Sequence, residues 1–428
     1  MIYIFISFVI SLCVVDGQVA PALDVGVLPS LFVHGDHFSI GQQMGYHTRE
    51  AIRHRLQNSD TIQQTLEWVQ TTIEGTAAYD AMLASAVDTF PEYVREIEGM
   101  ALGSGISFET LFTLNVRSEL GVFKLASTGV APATETEHCS DYIVLRTDPL
   151  TGVPSEVIIG HNEDGGAEDR SISTLITAHV EGVGVKEPVR FSAFVYPGDL
   201  PTDAFFWNEH GVVGSFNGLY PAECLYGGLG RNFVSRHVAA ASSLEDAIAR
   251  ATMGNQATGH SYNLAGLRDG QLALVNVEQA PGVDAPGPDK ASPFVVTPIT
   301  AGYGANGSAT IGALFHANSY LFLEGVATTE SDSSAHRIAR AAELPPPMDA
   351  VDVCTVLGDA ADEQWPIYRT ASSAAQDDGY TLVTALFTLS MPPKERAPSS
   401  PVGSATLYLS NPKTNAGVHF QYDSLVIQ

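Results

Sequence analysis

Basic residues are scarce in this chain: 21 Lys and Arg stand against 48 Asp and Glu, a formal charge of −27 over 428 residues. Nucleic acid is held by basic patches, and none is visible, so that class of partner is excluded. Cysteine is scarcer still, with Cys13, Cys139, Cys224 and Cys354 alone. No Cys-x-x-Cys, His-Glu-x-x-His or EF-hand loop occurs, and the 13 His come no closer to ligand spacing than His34-Gly35-Asp36-His37. That pair is the pattern of a surface loop more than of a metal site, so no metal is expected. A Gly-x-Ser-x-Gly elbow, a Walker loop and a Gly-x-Gly-x-x-Gly following a strand are also missing, which removes the common hydrolase, nucleotide and dinucleotide readings. Long apolar runs are absent beyond the first 15 residues.

That first run, Met1 to Val15, is about 14 residues of apolar sequence, short for a membrane span and right for the core of a signal peptide. Val15-Asp16-Gly17 offers small residues for cleavage, giving a 1–17 leader, a mature chain from Gln18 and a secreted or vesicular protein. Three cysteines then remain, an odd number for an oxidising compartment. Either Cys224 and Cys354 form one bridge and leave Cys139 over, or all three stay as thiols. Asn306-Gly307-Ser308 is an N-glycosylation sequon, with Asn306 as acceptor.

Up to residue 138 the pattern is mainly helical. Ile40, Met44, Ile52 and Leu56 mark a helix over 39–56, and Ile62, Leu66, Val69 and Ile73 mark another over 61–75. Pro91 suits the first turn of a third, which Gly103-Ser104-Gly105 ends. Ser107 caps a fourth, Phe108 to Leu120. Residues 125–137 are small and polar and read as an exposed linker. From Cys139 on, strands dominate: 173–179, 189–196, 212–216, 261–266, 272–277, 382–390 and 405–409 are β-branched or aromatic. Ser243-Leu244-Glu245-Asp246 opens a helix, and 333–343 forms another, stopped by Pro345-Pro346-Pro347. Residues 281–312, rich in Pro, Gly and Ala, read as a long surface insertion. The whole is an α+β body.

The organising stretch is the pair Cys139–Leu145 and Val157–Asp164, two strand-like runs around the turn formers of 148–155. If the loop is symmetric about Thr151 and Gly152, antiparallel pairing sets Cys139 opposite Asp164. A thiol needs a base near neutral pH, since its free pKa is about 8.5. His138 and His161 lie near in sequence and read as bystanders. A nucleophile at a chain terminus can use its own α-amine instead. Cys139 becomes such a terminus if the His138–Cys139 bond is cut, and the change from helices to strands at that point fits a processing site.

Several separated blocks carry a resemblance: Glu96 to Gly105, Leu114-Asn115-Val116-Arg117-Ser118-Glu119, Cys139-Ser140, Gly160-His161-Asn162-Glu163-Asp164, Asn208-Glu209-His210-Gly211 with Asn217-Gly218-Leu219, and His316-Ala317-Asn318-Ser319. In this order they resemble the acyl-CoA:6-aminopenicillanic acid acyltransferase-like group of self-processing N-terminal-nucleophile hydrolases. The resemblance implies a four-layer αββα sandwich, no cofactor, and a cut at His138–Cys139 yielding an associated two-chain heterodimer, 18–138 and 139–428, that forms one compact domain. It implies Cys139 as nucleophile, Asp164 as the acid orienting amine and thiol, and Asn318 as oxyanion donor, one such donor contributing about 3–4 kcal/mol. Asn162 and Asn217 match as substrate-binding groups. The family's late Ser-Arg pair has no Arg here, in Val402-Gly403-Ser404-Ala405-Thr406, and the 281–312 insertion is placed to form a lid before Asn318. The expected activity is hydrolysis of a small-molecule, non-peptide amide. Acyl transfer, a lysosomal phospholipase-like amidase and a non-catalytic binding protein of the same fold are the alternatives.

Overall fold

The computed structural model describes residues 28–129, 138–166, 169–170, 172–202, 204–282, 293–301, 311–329, 332–370, 379–391 and 402–421. The expected leader and the Asn306 sequon lie outside them. An edge strand, β1 (Ser30–Gly35), leads into six helices: α1 (His37–Asn58), α2 (Asp60–Thr71), α3 (Ile73–Thr89), α4 (Pro91–Ser104), α5 (Phe108–Asn115) and α6 (Arg117–Thr128).

Two expected helices are each split, for local reasons. Thr72 turns extended (φ −119°, ψ 151°), donates its hydroxyl to the Trp68 carbonyl and accepts from Gly75 N–H, so one side chain closes α2 and opens α3. Val116 breaks the next because Asn115 is anchored elsewhere: its amide donates to Gly198 O at 3.0 Å and accepts from Leu200 N–H at 2.6 Å. Pro91 does occupy the first turn of α4, and Gly105 closes it at φ +71°.

The antiparallel hairpin β2 (His138–Thr147) and β3 (Pro154–Gly166) follows, then β4 (Thr174–Val180), β5 (Val189–Val195), β6 (Phe205–Asn208) and β7 (Val213–Leu219). Helices α7 (Arg231–Ala239) and α8 (Leu244–Ala251, capped by Ser243) precede β8 (Gly259–Arg268), β9 (Gln271–Gln279), β10 (Phe294–Pro298) and β11 (Gly312–His316). Last come α9 (Asp332–Glu343), α10 (Ala350–Leu357), β12 (Gly379–Ser390), β13 (Val402–Tyr408) and β14 (Val418–Gln421). The 281–312 segment is therefore not simply a surface insertion, since β10 within it pairs with β9 as an edge strand.

Among the described residues eight strands form one sheet, ordered β1-β4-β5-β6-β7-β8-β9-β10, and six form the other, β11-β2-β3-β12-β13-β14. Three apolar cores separate four layers. One, with Ile97, Phe112, Ile176 and Val277, joins helices α1–α8 to the larger sheet. A second, with Ile143, Ile159, Phe194 and Phe387, lies between the sheets. The third, with Val144, Ile158, Val353 and Leu357, seats α10 and α9 on the smaller sheet. This is the expected αββα sandwich. Among the described residues no helix is long and apolar enough to cross a membrane.

No disulfide joins Cys224 to Cys354. Cys354 packs on α10 against the smaller sheet, whereas Cys224 precedes Leu225, whose N–H bonds Ala257 O beside the larger sheet. The two sit in opposite outer parts of the sandwich.

Candidate active site

Strand alternation decides which side chains meet. On β2, Ile143 and Leu145 face the space between the sheets while Tyr142 and Val144 face α10. Carrying that period back puts Cys139 and Asp141 between the sheets, and His138 and Ser140 on the helix side. The turn closes with Thr147 opposite Pro154, and a bulge between Arg146 and Thr147 shifts the register so that Cys139 pairs with Glu163 and His138 with Asp164. This corrects the sequence expectation by one residue, and one residue reverses every facing. Glu163, not Asp164, meets the thiol.

The Cys139 thiol donates to Glu163 Oε2 at 3.4 Å. Glu163 Oε1 accepts from the Tyr196 hydroxyl at 2.5 Å, and Oε2 lies 3.0 Å from His161 Nε2. The other nitrogen of His161 lies 3.0 and 3.1 Å from the two Asp141 oxygens. Across the gap the larger sheet fixes Asp141 with the Ser215 hydroxyl and the Asn217 amide. All of these groups are buried. Burial drives the thiol pKa well up, and the Glu163, Asp141 and Asp164 carboxylates add to it. Burial opposes charge on His161, but Asp141 and Glu163 outweigh it and raise the ring to about 10. His161 is thus an imidazolium held between two carboxylates, not a bystander.

Asn318 reaches the same cysteine through register. β11 pairs with β2, with His316 opposite Asp141, and two further residues bring Asn318 level with Cys139. Its Oδ1 accepts the Cys139 N–H at 3.0 Å, and its amide donates to Gly218 O at 3.0 Å. Arg337 from α9 donates to the Cys139 carbonyl, to Ser140 Oγ at 2.9 Å and to Asn318 Oδ1 at 3.0 Å. The late strand lacks an arginine, and α9 supplies one from another part of the chain.

Asp164 lies on the helix face. It accepts from the Thr381 hydroxyl at 2.6 Å, and Arg369 Nε stands 3.6 Å from its second oxygen. Burial outweighs the nearby Arg369 and Arg337 and lifts its pKa to about 6. His138 beside it is held well below the ordinary histidine range by its enclosure and by the same two arginines. Asn162 also faces away from the thiol: its amide donates to Leu357 O and Ile367 O and accepts from Thr384, fastening α10 to the sheet. Asn217 is taken up by Asp141 and Asn263.

Sequence reasoning missed Glu163, His161, Asp141, Tyr196 and Arg337 as members of the site. The first three carried a signal, because Cys139 and Asp141 alternate in step with His161 and Glu163. Arg337 carried none. A polar cavity of about 20 Å³ adjoins the thiol, walled by Cys139, Glu163, Tyr196, Tyr220, Arg231 and Asn232, with room for about one water. Within that wall Asn232 Nδ2 is buried and has no hydrogen-bond partner among the described residues. The Cys139 sulfur, a His161 ring nitrogen and a Glu163 carboxylate oxygen all lie within 4.8 Å of one another.

The arrangement supplies a nucleophile, an acceptor for its proton and fixed donors around the peptide unit, which is the equipment of acyl transfer through sulfur. Residues 152–394 match the family of acyl-coenzyme A:6-aminopenicillanic acid acyl-transferase. The chain is 26% identical over 385 residues to a β-alanyl-dopamine/carcinine hydrolase of Drosophila melanogaster, covering 88% of this chain and 93% of that protein. A Caenorhabditis elegans orthologue of N-acylethanolamine-hydrolyzing acid amidase aligns over 57% of this chain and 91% of its own, at 13% identity and a TM-score of 0.34. With more than half of its length matched, the chain belongs to the acyl-coenzyme A:6-aminopenicillanic acid acyl-transferase family and is an enzyme of carbon–nitrogen bonds other than peptide bonds.

Proposed function

We propose that this protein is a secreted, self-processing cysteine amidohydrolase that cleaves small N-acyl amines through an acyl-enzyme on Cys139. The observation that carries the reading is the cysteine at the head of β2, whose thiol meets Glu163 and whose own N–H is gripped by Asn318. Cutting before Cys139 turns that gripped nitrogen into an α-amine. Such an amine titrates near 7.7–8.0, a useful range for a base at neutral pH. The thiolate then attacks the substrate carbonyl, the amine departs, and water releases the acid. Asn318 is the proposed donor to the oxyanion, once its amide turns from the Gly218 carbonyl to the reacting oxygen. Asp164, expected to orient the amine and thiol, lies instead on the helix face opposite His138, so its proposed role moves to orienting the bond to be cut.

Hydrolysis is favoured over transfer because the Drosophila relative is a hydrolase and because a secreted enzyme meets few coenzyme A thioesters. β-Alanyl amides of aromatic and imidazole amines are the first substrates to try, by analogy with that relative alone. The test pairs N-terminal sequencing of the purified protein with a panel of N-acyl amines, wild type beside Cys139→Ala. Expected are fragments starting near Gln18 and at Cys139, and amide turnover, in wild type; Cys139→Ala keeps the first terminus and loses the other two. Turnover by Cys139→Ala at the wild-type rate would sink the reading.

A further inference from the structure

Before the cut, Cys139 has no α-amine. Its nitrogen is an amide whose hydrogen is donated to Asn318 Oδ1, so it cannot act as a base. Self-cleavage, on which this inference rests, needs a proton acceptor for the thiol from somewhere else. We infer that Glu163 is that acceptor, a catalytic residue of the self-cleavage step, with Tyr196, His161 and Asp141 as its positioning residues.

The geometry is specific. The thiol hydrogen bond ends on Glu163 Oε2. The carboxylate cannot swing away, because Tyr196 holds Oε1 and His161 holds Oε2. The His161 ring is itself locked by Asp141, which Ser215 and Asn217 tie to the opposite sheet. The Cys139, His161 and Glu163 donor atoms all lie within 4.8 Å of one another, so a positive ring stands close to the sulfur as negative charge forms there. In a buried, low-dielectric gap, that proximity counts for more than it would in water.

The thiol proton passes to Glu163 Oε2 as sulfur attacks the His138 carbonyl carbon and the new C–S bond forms. The C–N bond to Cys139 breaks, and the proton held by Glu163 goes to the departing nitrogen, leaving an amine and a thioester. Water adds to the thioester, the C–S bond breaks, and the products are the His138 carboxylate, the restored thiol and the free α-amine. Thereafter the amine serves as base and the demand on Glu163 falls.

The test follows full-length protein made by cell-free translation, reading the uncut chain and its fragments against time with and without hydroxylamine, which releases a thioester. Wild type should be cut, and Cys139→Ala should stay whole with or without hydroxylamine. Glu163→Gln should be cut about 10²–10⁴-fold more slowly, the span of a general base, and hydroxylamine should not hasten it. Tyr196→Phe, which touches the carboxylate and not the sulfur, should slow cutting about tenfold, matching one hydrogen bond to a charged group. Glu163→Gln cutting at the wild-type rate would overturn the inference. So would a Glu163→Gln chain that builds up thioester and is freed by hydroxylamine, since deprotonation would then have occurred without the carboxylate. Should Glu163→Gln fail to melt cooperatively, Tyr196→Phe decides, and wild-type cutting there overturns the inference. If wild type itself stays whole, or Cys139→Ala is cut like it, self-processing fails and takes the inference with it.

Discussion

Asp164 and Glu163 are adjacent carboxylates in opposite surroundings, and they should respond differently to mutation. Asp164 is raised from 3.8 to about 6 because burial outweighs its two arginines. A raised folded-state pKa gives stability that is full below the unfolded value and is lost as pH climbs through the folded one. Wild type should therefore lose about 3 kcal/mol from this group between pH 4 and 6, at ~1.4 kcal/mol per unit. Asp164→Asn should flatten the pH dependence of Tm over that window; an unchanged slope would place the charge elsewhere. His161, raised to about 10, behaves with the same sign at higher pH. Its contribution is whole below about 6.5 and fades as pH passes 10. At the cavity wall, Asn232 holds an amide donor with no partner among the described residues. Asn232→Ala should raise KM for a preferred amide about tenfold, with self-cleavage at the wild-type rate, because one hydrogen bond to bound substrate disappears. A fall in kcat with KM unchanged would show that the donor acts only on the transition state.

Among the elements, α1 and α4 make the closest contact in the helical layer, and glycine is the reason. A Cβ on Gly41 or Gly45 of α1 would stand 1.9 or 2.2 Å from a backbone oxygen of α4, and one on Gly99 or Gly103 of α4 would stand 2.0 Å from one of α1. Two Gly-x-x-x-Gly pairs thus let the backbones touch, and neither backbone can yield as a flexible side chain would. Gly99→Ala should cost about 1–3 kcal/mol or more, read as a fall in Tm, with kcat per folded molecule close to wild type. The sequence signalled the helices but not their contact: apolar stripes predict which face is buried, not what is buried against it. The hairpin teaches the same lesson at the site itself. Its strands were legible from β-branched residues, yet the register depended on a bulge after Arg146, which composition does not announce.

For the whole molecule, the proposed cut falls at the first strand bond of β2, a strand that lies between β11 and β3 inside the smaller sheet. The segment before the cut supplies helices to one outer layer and β1 to the larger sheet's edge, and its apolar residues run through the same core as Ile176, Phe206 and Val277. Separation of the two pieces would expose that core, at about 25 cal/mol per Å². The fragments should co-elute at the size of the uncut chain in buffer and separate only in denaturant. Elution as two species without denaturant would contradict this architecture.

The change from helices before Cys139 to mainly strands after it, and the cysteine at the head of a strand, were readable along the chain, and the αββα layering was implied by the family blocks. Local propensity and periodicity encode the helices and strands within a dozen residues, but not how they stack into layers. Which carboxylate faces the sulfur, the promotion of His161 to a charged member of the network, and the arrival of Arg337 from α9 were decided only by tertiary structure. Each depends on where a strand's register comes to rest or on residues nearly 200 positions apart, and neither distance nor facing is written in the neighbours of Cys139.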